Sequence, residues 1–73
     1  MSEEFYTKFV TDEGETLYRP TVDYAGDLKH DRLAFCASCT EVHEDIGPNF
    51  AFAFCLSCKQ HKVFGHMHFD QII

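Results

Sequence analysis

The first apolar stretch of the chain predicts a strand, and the pattern after it predicts a hairpin. Residues 5–10 read Phe-Tyr-Thr-Lys-Phe-Val, aromatic and β-branched side chains that fit a pleated strand. A polar turn with three acids covers residues 11–15, and the extended pattern resumes over residues 16–19 until Pro20 limits further pairing. We therefore expect a β-hairpin over residues 5–19. It must pack on another part of the protein, because an isolated hairpin is only marginally stable.

The segment after the hairpin predicts at most one short helix. Residues 24–26 (Tyr-Ala-Gly) indicate a break in regular structure. Residues 27–33 can form one or two helical turns with Asp27 as the N-cap, because an Asp side chain accepts hydrogen bonds from the free N–H groups of a first turn. The same residues can equally serve as a linker.

Between Phe50 and Phe54 the chain alternates phenylalanine and alanine. Side chains alternate between the two faces of a strand, so Phe50, Phe52 and Phe54 should share one face. We expect this face to belong to the core and to pack against the N-terminal hairpin. The alternatives are an exposed platform on which bases stack and a protein-docking surface.

Residues 63–69 predict a last strand, in which Gly65 marks a bulge. His66 and His68 would share one face of that strand. We expect both imidazoles to be exposed or hydrogen-bonded, and a second metal site built on this pair is the less favoured alternative.

The candidate chemistry is concentrated in the four cysteines. They form two C-x-x-C pairs, Cys36 with Cys39 and Cys55 with Cys58, with fifteen residues between the pairs. A C-x-x-C turn directs two sulfurs toward one point, and two such turns supply four thiolates at the corners of a tetrahedron, the geometry that Zn²⁺ accepts. We predict that these four residues bind one structural zinc ion.

Residues 33–69 resemble the zinc-ribbon family, in which two such turns, called knuckles, sit at the ends of short β-hairpins. The resemblance implies a small β-rich, zinc-stabilised ribbon over residues 33–69. With the hairpin predicted from residues 5–19 and the length of the chain, we expect a zinc ribbon with an N-terminal hairpin, in a single domain over residues 1–73. Many ribbons carry Gly directly after each pair, where the backbone needs a left-handed conformation. Thr40 and Lys59 stand there in this chain, so the turns must tolerate ordinary residues.

Iron and disulfides are the alternatives to zinc. Four thiolates also hold rubredoxin-type iron or a cluster, although rubredoxins usually carry Gly after each pair. Disulfides require an oxidising compartment. The first residues, Met-Ser-Glu-Glu, show neither the basic region nor the apolar run of a secretory signal, so we expect a cytoplasmic protein. A thioredoxin-like redox pair would stand alone within a βαβ pattern.

Length and charge restrict the possible classes of function. A chain of 73 residues forms one domain with a modest core, which structural zinc would stabilise directly. The net charge is −6, and residues 1–31 hold eight of the twelve acids. Nucleic-acid binders usually carry the opposite sign. No apolar run reaches membrane-spanning length, and no nucleophile motif or phosphate-binding loop indicates an enzyme.

The favoured hypothesis is a non-enzymatic, zinc-stabilised acidic module that binds a protein with a basic surface. Its candidate contact residues are Asp12, Glu13 and Glu15 at the hairpin tip. RNA polymerase and nucleases carry basic surfaces, so we expect a regulator or inhibitor of such a nucleic-acid enzyme.

The alternative hypothesis is a nucleic-acid-associated zinc ribbon of the transcription or translation machinery. Its basic contact residues would be Arg32, Lys59, His61 and Lys62. In the favoured hypothesis, the basic residues at 59–62 instead offset the negative charge of a zinc ion held by four thiolates.

Overall fold

The computed structural model describes residues 5–72, which form two antiparallel sheets, one α-helix and a C-terminal 3₁₀ helix. In chain order the elements are β1 Tyr6–Val10, β2 Thr16–Pro20, α1 Val22–Asp31, β3 Ala34–Cys36, β4 Val42–His43, β5 Ala53–Cys55, β6 Gln60–Gly65 and the 3₁₀ helix His66–Gln71. The expected small β-rich domain with one short helix is confirmed.

The predicted N-terminal hairpin is present as a two-stranded sheet. Strand β1 pairs with β2 from Tyr6 opposite Pro20 to Val10 opposite Thr16. The turn is closed by hydrogen bonds from the Thr11 N–H to the Glu15 carbonyl at 2.8 Å and from the Gly14 N–H to the Thr11 carbonyl at 2.9 Å. Gly14 has a φ of 86°, a left-handed conformation that Gly adopts without steric cost.

Helix α1 begins five residues before the predicted start, so the N-cap prediction was wrong. The Thr21 side chain caps the helix by accepting a hydrogen bond from the Tyr24 N–H at 3.3 Å, and Asp27 lies inside the helix. Gly26, expected in a break, is helical as well. Packing outweighs the low helix propensity of Gly here, because Leu28 is buried in the core and Tyr24 packs against it.

The larger sheet has the strand order β4-β3-β6-β5, and each neighbouring pair is antiparallel. Its two faces carry different cores because side chains alternate along β3 and β6. Phe35 and Phe64 lie opposite each other and belong to the larger core, which also holds Leu28 of the helix. Cys36 and Val63 belong to the smaller core, which surrounds the cysteines.

The hairpin stays separate from the larger sheet and is attached to it at Ala37. The Tyr18 N–H donates to the Ala37 carbonyl at 2.7 Å, and the Ala37 N–H donates to the Lys62 carbonyl at 2.8 Å. Aromatic contacts reinforce this junction: the ring centroids of Tyr6 and Phe35 are 6.3 Å apart. The hairpin and α1 therefore cover the large-core face of the sheet.

Strand β6 ends at Gly65, so the strand predicted over residues 63–69 is too long. The Gly65 N–H donates to the Phe50 carbonyl at 2.6 Å, and the Met67 N–H donates to the Pro48 carbonyl at 3.1 Å. The loop around Pro48 and Phe50 therefore passes over residues 65–67. Its carbonyl groups accept the hydrogen bonds that a neighbouring strand would accept if β6 were longer. The bulge also lies elsewhere, opposite the step from Ala53 to Phe54.

The expected core face of Phe50, Phe52 and Phe54 is exposed, and that prediction was wrong. These side chains are 60%, 59% and 41% exposed. The period-two alternation is broken because Phe52 has a φ of 59° and only Ala53–Cys55 forms strand β5. We call these three side chains the aromatic surface. Phe52 rests edge-on against the buried Phe64, with ring centroids 4.9 Å apart.

Within residues 5–72, no helix has both the length and the apolar character needed to cross a membrane.

The loop crossing at Gly65 predicts that Gly65→Ala will destabilise the fold. A Cβ there would lie 2.4 Å from the carbonyl carbon and oxygen of Pro48, which are backbone atoms. We expect a loss of about 3 kcal/mol in the free energy of unfolding, the upper end of the usual range for overpacking. Urea denaturation of the metal-loaded protein measures it.

Gly26→Ala is the matched control, because a Cβ at this position would meet no described atom within 4 Å beyond the neighbouring backbone of its own helix. We expect it to stabilise the protein by about 0.5–1 kcal/mol, the advantage of Ala over Gly inside a helix. Equal effects of the two substitutions would contradict the close approach at Gly65.

Candidate metal centre

The two C-x-x-C segments adopt the same backbone turn. Each begins on the last residue of a strand, Cys36 on β3 and Cys55 on β5. The N–H of the residue after each pair closes the turn: Thr40 donates to the Cys36 carbonyl at 2.9 Å and Lys59 to the Cys55 carbonyl at 2.7 Å. Thr40 and Lys59 have φ angles of 64° and 57°, so both hold the left-handed conformation usually given to Gly.

The two turns bring the four sulfurs into one cluster. The Cys36 and Cys58 Sγ atoms are 3.6 Å apart, and the Cys39 and Cys55 Sγ atoms are 3.5 Å apart. All four Sγ atoms lie within 4.8 Å of one another, and all four residues are free thiols. A tetrahedral ion with bonds of about 2.3 Å to sulfur separates its sulfurs by about 3.8 Å. The cluster therefore has the dimensions of a four-thiolate metal site.

The electrostatics of the cluster also favour a cation. Cys36 and Cys55 are fully buried, whereas Cys39 and Cys58 are partly exposed. Burial raises the pKa of Cys36 and Cys39 above the ordinary value for a thiol. Burial acts the same way on Cys55, but the Cys58 backbone N–H and the Cys39 and His43 side chains lower its pKa to about 6. A metal ion would compensate the buried thiolate charge.

His43 is a component of the site that the sequence analysis missed. It lies on β4 and pairs with Ala34 of β3. Ala34 stands two residues before Cys36 in the chain. The Nε2 of His43 is buried and has no hydrogen-bond partner among residues 5–72, which costs about 1–3 kcal/mol if it stays unsatisfied. The Glu41 carboxylate, an imidazole nitrogen of His43 and Cys55 Sγ all lie within 4.8 Å of one another. The sequence did offer a signal for His43: it lies in the short strand predicted after the first knuckle, and an antiparallel pairing of that strand with β3 brings it back toward the cysteines.

The acids predicted at the hairpin tip have different surroundings. Asp12 and Glu13 are exposed in the turn, as a partner contact requires. Glu15 instead pairs with Lys62 of β6, with the Lys62 Nζ 3.0 Å from each carboxylate oxygen. Lys62 therefore compensates Glu15, whereas the sequence analysis assigned it to the charge of the metal site. The pair is a second link between the hairpin and the larger sheet.

The basic residues of the alternative hypothesis belong to separate groups. Arg32 lines a cleft at the end of α1 with other basic and histidine side chains, namely Lys29, His30 and His66. Burial there, with the positive charges of Lys29 and Arg32, lowers the pKa of His66. Lys59 and His61 are exposed beyond the second knuckle, and the His61 ring lies 5.0 Å from that of Phe54.

The histidine pair near the C-terminus does not form a metal site. His68 Nε2 is 2.9 Å from the Asn49 carbonyl, and its Nδ1 is 2.9 Å from the Gln71 amide nitrogen. In the part of the chain that the structure describes, the clusters of metal-ligating side chains are those around Cys55.

Comparisons with protein-family models, with curated proteins and with solved structures found no match to this chain.

The left-handed knuckle residues predict that Lys59→Gly will be tolerated or stabilising. A non-Gly residue in this conformation costs about 1–2 kcal/mol, and Gly loses about 0.5–1 kcal/mol through its greater freedom when unfolded. The net gain should be about 0.5–1 kcal/mol in urea denaturation of the metal-loaded protein. Lys59→Val is the opposing control, because a β-branched side chain is poorly tolerated at positive φ. A destabilising Lys59→Gly would contradict the assigned turn.

Removing the metal should unfold at least residues 33–69. Structural metals contribute about 10–16 kcal/mol to the folding of small metal-binding peptides. Without a cation, burial favours the neutral thiols of Cys36 and Cys39, which provide no comparable attraction to hold the two knuckles together. We expect a strong chelator at neutral pH to collapse the dispersion of amide NMR signals from these residues, and added metal to restore it. A spectrum that does not change after proven metal removal would contradict this dependence.

Proposed function

We propose that the four-cysteine cluster is a structural zinc site. The single observation that carries this proposal is the convergence of four free, largely buried thiols at distances suited to tetrahedral coordination. Four thiolates complete the coordination of zinc and leave no open position for a catalytic water. The zinc-ribbon resemblance of residues 33–69 supports the same ion. Metal analysis of the purified protein tests it: one zinc per chain is expected, and a coloured, iron-loaded protein would contradict it.

On this zinc-stabilised scaffold, we propose a non-enzymatic interaction module that binds a protein through its acidic surface. Asp23, Asp27 and Asp31 are exposed at successive four-residue steps of α1 and therefore form one stripe along the helix. We call these three residues the acidic stripe. The exposed Asp12 and Glu13 add negative charge at the hairpin tip.

The electrostatic energy of the acidic stripe is less favourable in the free protein than it would be in a complex with a basic partner. Like charges four residues apart destabilise a helix by about 0.2–0.5 kcal/mol per pair. None of the three aspartates belongs to an ion pair among the described residues. A basic partner surface would remove this repulsion and would be steered toward the stripe during association. The acidic stripe therefore favours a partner rich in Lys and Arg.

The partner class that fits best is a nucleic-acid enzyme such as RNA polymerase or a nuclease. Such enzymes carry basic surfaces because they contact phosphates. A small acidic protein on such a surface would compete with nucleic acid for the same charges. We therefore propose that this protein regulates or inhibits such an enzyme.

A nucleic-acid-associated ribbon is the second candidate function. The observation in its favour is the contact of His61 with the exposed Phe54, which belongs to the aromatic surface on which bases could stack. The net charge of −6 and the Glu15–Lys62 pair weigh against it.

Neutralising the acidic stripe with Asp23→Asn, Asp27→Asn and Asp31→Asn together should weaken partner binding about tenfold. Three exposed charge contacts at about 0.5 kcal/mol each amount to about 1.5 kcal/mol, roughly a factor of ten in affinity. The tagged, metal-loaded protein would first capture its partner from extracts of its own cells. Affinity for the purified partner would then be measured at several salt concentrations, and its salt dependence should flatten in the variant.

The matched control is Glu44→Gln with Asp45→Asn, two exposed acids outside the N-terminal half. It should leave affinity nearly unchanged. Equal losses in both variants would indicate a general charge effect and contradict the acidic stripe as the contact. Recovery of nucleic acid alone would favour the second candidate function. Added protein should also reduce synthesis or cleavage by the captured enzyme.

A further inference from the structure

His43 is placed where its imidazole can serve the metal centre. Strand β4 is only two residues long, and its pairing with β3 sets His43 opposite Ala34, beside the strand that ends at Cys36. The side chain is half-buried, and its Nε2 is closed to solvent and has no hydrogen-bond partner in the described part of the chain. A buried imidazole nitrogen in a natural protein normally has a partner.

The nearest groups that could satisfy the imidazole are Cys55 and Glu41. Both Cys55 Sγ and a Glu41 carboxylate oxygen lie within 4.8 Å of an imidazole nitrogen of His43. Cys55 is fully buried, so water cannot solvate its sulfur. A thiolate is an acceptor, whereas a neutral imidazole has one donor nitrogen and one acceptor nitrogen.

We propose that His43 is a positioning residue of the metal centre, whose Nε2–H donates a hydrogen bond to Cys55 Sγ when the thiolate holds the metal. The Glu41 carboxylate lies near the same imidazole nitrogen, where its negative charge favours the N–H form that donates. The inference rests on the proposed zinc centre. It assigns to His43 and Glu41 a role outside the four ligands, in the shell of groups that orients ligands and tunes a metal site.

The net negative charge of the centre is the physical reason for this hydrogen bond. A divalent ion with four thiolates carries a net charge of −2, and the Glu41 carboxylate adds another negative charge close to Cys55. Cys55 Sγ is buried, so without a donor close by its share of this negative charge would stay uncompensated. The N–H group of His43 withdraws charge from the sulfur, which should strengthen metal retention and make Cys55 less reactive toward electrophiles.

Zinc affinity is the first measurement. The metal content of the wild-type protein is measured first, and a chelator of known affinity then competes for the zinc. We expect His43→Phe, which keeps a ring but removes the donor, to lower zinc affinity about 10–100-fold. His43→Gln supplies an amide donor and should recover part of that loss, and Glu41→Gln should have a smaller effect. His30→Phe, the same change at an exposed position, should have none.

A spectroscopic measurement separates the hydrogen bond from a packing role. In protein loaded with ¹¹³Cd, a hydrogen bond to a coordinated sulfur transmits scalar coupling between the metal and the donated proton. We expect a cross-peak between ¹¹³Cd and the Nε2 proton of His43 in the wild type. Alkylation by iodoacetamide, mapped by mass spectrometry, should reach Cys55 earlier in His43→Phe than in the wild type. The wild-type cross-peak decides the question even if a variant fails to fold.

The failure of this inference differs from the failure of the zinc proposal. A folded, metal-loaded wild type without the cross-peak would overturn the hydrogen bond alone. Equal zinc affinities of the wild type and His43→Phe would overturn the positioning role. A wild type that binds no metal would overturn the centre itself, and this inference with it.

Discussion

The convergence of four thiols at one point is the constraint on which the rest of the structure depends. The cysteines close the ends of β3 and β5, two strands that are separated by β6 in the sheet and far apart in the chain. The core around them is small, and its fully buried members are Ala34, Cys36, Cys55 and Val63. Apolar burial of this size contributes only a few kcal/mol, so a bound metal would be the main stabilising interaction of this half of the protein.

The first knuckle also determines where the N-terminal hairpin sits. Ala37 lies within the knuckle, and its two backbone groups connect Tyr18 of the hairpin with Lys62 of β6. The bulge in β6 leaves Lys62 without an opposite residue in β5, and its side chain reaches Glu15. The geometry of the four-cysteine cluster, the position of the hairpin and the orientation of the acidic N-terminal half are therefore coupled through a few backbone hydrogen bonds. This coupling relates the proposed zinc site to the proposed binding surface.

The acidic stripe and the aromatic surface lie on different elements of the chain. Helix α1 and the hairpin tip carry exposed acids, whereas the aromatic surface lies around β5, at the edge of the larger sheet. The smaller core needs only Ala53 and Cys55 from this edge strand, which leaves the phenylalanines outside. The proposed binding function rests on the first of these features, and the second candidate function rests on the other.

The amino-acid sequence alone determined the four candidate ligands, the N-terminal hairpin and the β-rich class, because spacing and turn chemistry within a few consecutive residues specify them. The tertiary structure decided which face of residues 50–54 is exposed, where β6 ends, and that His43 lies beside Cys55. Each of these depends on segments distant in the chain: the loop at Pro48 that crosses Gly65, and the strand pairing that returns His43 to β3. Helix α1 began earlier than predicted for the same reason, since burial of Leu28 against the sheet outweighs the local cost of Gly26. Local patterns report what a segment can form, and the contacts between segments select among those forms.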